Sequence, residues 1–169
     1  MSLLRPVAAL GIPDCWVGAG VIRNAIWDHL HGIPVEPLGK SNIDGVYCDY
    51  TDASLERDLA IETLLFDEFP DFPWSVHNQA RMHERNGDAP YRNTADAIGY
   101  WPETATAIAA RTHLGDHVEV LAPHGVGDLL DMIVRPSPAF ARKLPIYRSR
   151  SAAKDWARRW PRLQIIDDC

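Results

Sequence analysis

Residues 16–32 read WVGAGVIRNAIWDHLHG, and residues 41–49 read SNIDGVYCD. In the first stretch an apolar run from Cys15 to Val17 gives way to a helical pattern. Ile22, Ile26 and Leu30 fall at i, i+4 and i+8 and form a buried stripe. Gly18 and Gly20 sit where the pattern changes, and their missing Cβ atoms let backbone approach backbone or ligand. Gly32, just before Pro34, ends the helix. A helix N-terminus behind a glycine turn offers free N–H groups and a positive dipole end, which suits phosphate. A tight strand-to-helix turn accounts for the same glycines. The spacing is not GxGxxG and lacks the Walker lysine, so the dinucleotide and P-loop fingerprints are excluded.

The second stretch reads as a strand over 42–48. Side chains alternate along a strand, so Asn42 and Asp44 point one way and Ile43 the other. Two polar side chains on a half-buried strand are unfavourable unless they bind something. Oxygen atoms so placed suit Mg²⁺ (or Mn²⁺), which takes carboxylates together with substrate phosphates.

Gly-x-Gly, a helix, then a strand carrying Asp-apolar-Asp resembles the DNA-polymerase-beta-like nucleotidyltransferase superfamily. A closer resemblance rests on VGAGVIRNAIWDHLHG, VYCD, NQARMH at 78–83, PY at 90–91, WPETATAIAAR at 101–111 and APHGVGDLLDMIVRPSP at 122–138. Together these are similar to a bacterial nucleotidyltransferase-like family of small proteins, over roughly residues 10–165. The resemblance implies an α/β fold of the α+β kind, a mixed sheet flanked by helices. It further implies transfer of a nucleoside monophosphate from an NTP to an acceptor that the sequence does not identify, with Mg²⁺ or Mn²⁺ as cofactor.

Carried onto this chain, the resemblance places the triphosphate at Gly18 and Gly20, with Arg23 and Asn24 on the following helix. Asp44 and Asn42 become the metal ligands, with Asp49 a further catalytic candidate one register off the Asp44 face. The third carboxylate that related enzymes carry on a neighbouring strand has no acidic counterpart in 74–83, and Asn78 is the nearest candidate. Arg81 is either a phosphate partner or half of an internal ion pair. Asn42 stands where the family pattern has Asp. At about 4 Å the missing charge is worth roughly 4 kcal/mol at an effective dielectric of 20. A nucleotide-binding or regulatory module with weakened or lost turnover is therefore the second reading. An interaction module that uses the basic C-terminal segment is the third.

At 169 residues, with 46% hydrophobic and 24% charged residues, the chain has the composition of one ordinary globular domain, 1–169. No 18-residue apolar run or signal-peptide pattern occurs, so no membrane partner is expected. Cys15, Cys48 and Cys169 form neither a disulfide framework nor a zinc spacing, so a reducing cytoplasm is the default. The seven histidines form no zinc pattern, and no Gly-x-Ser-x-Gly elbow is present. The net charge of −6 is unevenly placed. Residues 1–134 hold 8 Lys+Arg against 20 Asp+Glu, and residues 135–169 hold 9 against 3. Overall acidity argues against strong nonspecific nucleic-acid binding. The basic segment, with Arg148, Arg150, Lys154, Arg158 and Arg159, either pairs with the acidic body or faces the site or a polyanion.

The remaining pattern predicts a helix from about Leu55 to Phe69, capped by Asp52 or Ser54, with Leu55, Leu59, Leu65 and Phe69 inward. It predicts a strand over 74–82, a short helix from Asn93 or Thr94, a helix over 102–112 stopped by Gly115, and a strand over 118–122. Glu119 on that strand is either a third carboxylate or a solvated edge residue. A last helix at about 152–160 places Trp156 and Trp160 at i and i+4 to dock on the core.

Overall fold

The computed structural model describes residues 3–38, 40–112 and 117–167. The chain opens with a short helix not anticipated from the sequence, α1 (Leu4–Ala9). Strand β1 (Trp16–Gly18) then turns into α2 (Gly20–Leu30). Strand β2 (Ile43–Tyr47) follows, joined by α3 (Leu55–Glu68) to β3 (Trp74–Asn78). Helices α4 (Gln79–Asn86) and α5 (Thr94–Gly99) lead to β4 (Ala109–Thr112) and β5 (Val118–Leu121). The rest comprises α6 (Gly127–Leu130), β6 (Ile133–Val134), a 3₁₀ turn at 138–140, α7 (Leu144–Lys154), α8 (Trp156–Arg159) and β7 (Gln164–Ile165).

The main sheet has the order β3-β2-β1-β4-β5. Within this sheet, among the described residues, only β2 and β3 pair in parallel, as expected for strands joined through a crossover helix. The mixed sheet flanked by helices is the expected fold class.

One face of the sheet packs Val17, Ile43, Tyr47, Trp74 and Val76 against α1 and α3. The opposite face carries Trp16, Val46 and Ala109, covered in part by Ile98 and Ala107. A separate core joins α2 to the C-terminal part through Trp27, Leu129, Tyr147, Trp156 and Trp160. The two C-terminal tryptophans meet Trp27 edge-on, with centroids at 5.9 and 5.2 Å, so the docking expected of them is present.

Ser54 caps α3 by accepting from the Arg57 N–H at 3.2 Å. The buried stripe of α3 is Asp58, Ile61 and Leu65, whereas Leu55 and Leu59 are exposed. The helix is turned this way because its acids close the sheet edge. The Val76 N–H donates to Glu62 Oε1 at 2.7 Å and the Asn78 N–H to the Asp58 carboxylate at 3.2 Å. These backbone donors on the outer strand are thereby closed to another chain.

Three expectations are corrected. The strand expected over 74–82 ends at Asn78, because the Asn78 side chain accepts from the Ala80 N–H and starts α4. The helix expected over 102–112 is a turn followed by β4. Ala109 and Ala110 are small enough to pair closely with Gly18 and Val17, and tertiary pairing overrides their helical propensity. The stop assigned to Gly115 lies outside the described residues. The last helix is two helices, broken at Asp155, which has φ 45°.

Candidate functional site

Strand pairing decides which side chains share the open face. Asp44 lies opposite Gly18 on β1 and opposite Ser75 on β3, and Val46 lies opposite His77. Asp44, Val46, Ser75 and His77 therefore point the same way, while Trp74, Val76 and Asn78 point into the core. Above the open face is a cleft of about 370 Å³, within the range of small-molecule sites. Its walls include Ala19, Asp44, His77, Trp101, Thr106 and Arg150.

Asp44 is the only acid lining this cleft among the described residues. Burial pushes its carboxyl above the usual carboxylate range, against the opposing pull of His77, Lys154, Arg23 and Arg150. A negative charge there is held by cations but poorly hydrated, an arrangement that favours a metal or a proton. The turn into α2 runs through Ala19, whose φ of 43° is a left-handed value that disfavours any residue with a side chain. The Ala19 N–H is held by the Ile108 carbonyl at 2.9 Å, which fixes the N-terminus of α2 beside the cleft.

Arg150 reaches the cleft from α7. Its Nε donates to Glu103 Oε1 at 2.8 Å, and its terminal nitrogens have no hydrogen-bond partner among the described residues. Glu103 itself is fully buried, and its Oε2 is unpaired there.

The nucleotidyltransferase family model matches residues 5–165. The chain belongs to that family.

A solved NMR structure described as a CCA-adding enzyme head domain is similar to this chain at TM-score 0.86 and 32% identity, covering 98% of this chain and 88% of that one. The Thermotoga maritima CCA-adding enzyme complexed with tRNA is similar at TM-score 0.61 and 15% identity, and a tRNA-processing enzyme in its apo form at 0.60 and 17%. This chain covers 98% of itself in both matches but spans only 38% and 42% of those longer proteins, and at such identities the likeness is one of fold. No curated protein matches the sequence significantly.

Of the residues singled out from the sequence, Asp44 and Arg150 line the cleft and the others are not part of its wall. Asn42 precedes β2, is exposed, and is not part of the cleft wall. Asp49 closes a turn by accepting from the Thr51 N–H and hydroxyl at 2.8 and 2.6 Å. Gly18 is buried in β1, and Gly20 opens α2.

Arg23 is buried between Trp27 and Trp156, with its guanidinium 5.1 and 4.7 Å from their ring centres. It donates to Thr106 Oγ1 at 2.8 Å and to Asn24 Oδ1 at 2.9 Å, which occupies both named residues. Burial pushes Arg23 down to about 10.

Asn78 is a core residue. Its amide ties down the loop after β2 through the Asp49 N–H (3.0 Å), the Asp49 carbonyl (2.7 Å) and the Asp52 carbonyl (3.1 Å). Arg81 forms an internal ion pair with buried Asp58, the structural alternative stated for it. Glu119 pairs with Arg111 at 2.8 Å on the far edge. Much of the basic segment is also used internally: Arg150 with Glu103, Arg159 with Asp28, and Lys143 with Asp88.

The sequence reading missed His77 and Trp101. For His77 a signal existed, since apolar Trp74 and Val76 had to face the core and therefore put His77 on the open side. Trp101 lies in an irregular loop and gave no periodic signal.

Among the described residues no three His, Cys, Asp or Glu side chains group as a metal site. The donor set nevertheless fits Mg²⁺ in one respect. That ion is commonly held by one or two carboxylates plus substrate phosphates, and Asp44 supplies one carboxylate that burial leaves short of solvation. No described helix is long and apolar enough to cross a membrane.

Proposed function

We propose that the cleft beside Asp44 binds a nucleoside triphosphate and transfers its nucleoside monophosphate to an acceptor hydroxyl. The observation that carries this reading is one under-solvated carboxylate sharing a cleft wall with the basic side chains of His77 and Arg150, beside a helix N-terminus. Asp44 would hold Mg²⁺ or Mn²⁺ jointly with the triphosphate. Bound there, the ion would neutralise phosphate charge and polarise the phosphoryl oxygens.

The chain's own residues would do the rest. The first-turn N–H groups of α2 receive phosphate oxygens. Arg150 presents its free nitrogens to the phosphate chain and, with Lys154, takes up the charge that develops on the leaving group. The acceptor hydroxyl releases its proton to solvent and its oxygen forms a bond to the α-phosphorus as the bond from that phosphorus to the bridging oxygen of the β-phosphate breaks. Pyrophosphate departs.

A second reading is a nucleotide-binding module with little turnover. It is favoured by the single acid in the cleft wall and the position of Asn42 outside it.

Binding is tested by melting the protein with each of ATP, GTP, CTP and UTP and Mg²⁺. A ligand at one hundred times its dissociation constant adds about 2.7 kcal/mol of stability. Asp44→Ala is expected to fold and to lose the metal-dependent part of that shift. Failure of all four nucleotides to move the transition would refute the reading. Labelled transfer to RNA 3′ ends, protein hydroxyls or small molecules, with pyrophosphate release, separates an enzyme from a binding module.

A further inference from the structure

The cleft wall combines charged groups with an apolar part made by Trp101, Met82 and Pro102. Trp101 stands out among these. It is half-buried, it packs against the cluster of Trp16, Val46 and Ala109, and its indole N–H has no partner among the described residues. Its six-membered ring rests on Gly18. A Cβ at position 18 would lie 2.8 Å from Trp101 Cη2, closer than real Cβ atoms come.

The φ of Gly18 is not positive, so its backbone does not need glycine. The missing Cβ makes room for the indole. Gly18 is in turn the register partner of Asp44, which sets the ring one strand away from the carboxylate. Directly paired residues in an antiparallel ladder have Cα atoms about 4.5–5.5 Å apart.

From this arrangement we infer that Trp101 is the platform on which the nucleobase stacks, and that Gly18 is its seat. The inference rests on the nucleotide reading above and adds to it the group that receives the base. A π-face accepts any base, so Trp101 contributes affinity for nucleotides as a class, without choosing among them. The phosphates lie toward Asp44 and Arg150, and the base lies on the indole. The first glycine of the Gly-x-Gly turn thus serves the base and not the phosphates.

The test compares ATP with inorganic tripolyphosphate, each titrated with Mg²⁺ into wild type, Trp101→Phe, Trp101→Leu and Gly18→Ala by calorimetry. Phe keeps a π-face, and Leu fills space without one. Trp101→Leu is expected to weaken ATP about tenfold, from a stacking contribution converted at one decade per 1.4 kcal/mol. Its tripolyphosphate affinity is expected to stay within about twofold, and Trp101→Phe to hold ATP within about threefold, because the π-face remains. Gly18→Ala is expected to behave like Trp101→Leu, because the methyl group displaces the ring.

Equal losses for ATP and tripolyphosphate, or no loss for either in Trp101→Leu, would overturn the inference and leave the nucleotide reading standing. A wild type that binds neither ligand would overturn the nucleotide reading itself. Circular dichroism on all four proteins separates loss of fold from loss of stacking.

Discussion

Asp44 shows at the scale of one residue how a buried charge can work against its own fold. Burial raises its carboxyl above the ordinary value in spite of the nearby basic groups, so the folded state holds the ionised form less well than the unfolded chain does. The penalty is present at pH values above the raised folded value and disappears as pH falls through it. Asp44→Asn is therefore expected to melt above wild type at pH 7 in EDTA, with the gap closing as pH is lowered through the carboxylate range. Melts from pH 7 to 4 measure it, and a mutant less stable than wild type at pH 7 would contradict the sign. Asp44 was legible in the sequence because polar and apolar residues alternate around it. Asn78 was assigned to the site although it shares a face with apolar Trp74 and Val76, which mark that face as the core side and leave His77 on the open one. Arg23 was legible as a charge on a helix but not as buried, because its neighbours Trp156 and Thr106 are distant in sequence.

Among the elements, α3 and β3 form a unit whose stability depends on two acids. Glu62 meets the Val76 N–H on the outer strand, and Asp58 meets the Asn78 N–H, the Tyr47 hydroxyl and Arg81. Glu62→Ala leaves the Val76 N–H without its charged acceptor. It is expected to destabilise by about 1.5–3 kcal/mol. Urea unfolding measures the loss, and light scattering near the midpoint is expected to rise as the strand edge opens to other chains. Unchanged stability and scattering would show that the edge is protected by other means. The cap of α3 at Ser54 could be read from the sequence, but its facing could not. A period of 3.6 places Leu55 and Leu59 on an apolar stripe, and nothing local reveals that Asp58 is required inward. The segment 102–112 was misread for a related reason. Ala-rich composition favours a helix, and only the pairing of Ala109 and Ala110 with β1 makes it a strand.

In the whole molecule, the acidic body and the basic C-terminal segment meet at Asp28. This carboxylate is fully buried and accepts from Arg159 Nε and Nη2 at 3.0 Å each, from Trp160 Nε1 at 2.9 Å and from the Glu36 N–H at 3.0 Å. Arg159→Ala leaves a buried charge without its cation and is expected to lower stability by about 3–5 kcal/mol. Equilibrium unfolding checks this, and a loss under 1 kcal/mol would mean that the neutral donors suffice. The uneven charge in the sequence foretold such pairing, but not the residues that make it. Of these partners Arg159 and Trp160 lie 131 and 132 residues further along the chain. A ribosome adding about 5–20 residues per second delivers them on the order of ten seconds after Asp28 itself. For that interval Asp28 lacks its cation and Trp27 lacks its two edge-on rings, so the nascent chain presents an open apolar seam until Trp156 and Trp160 arrive. Completion of this core waits on the synthesis of residues 156–160.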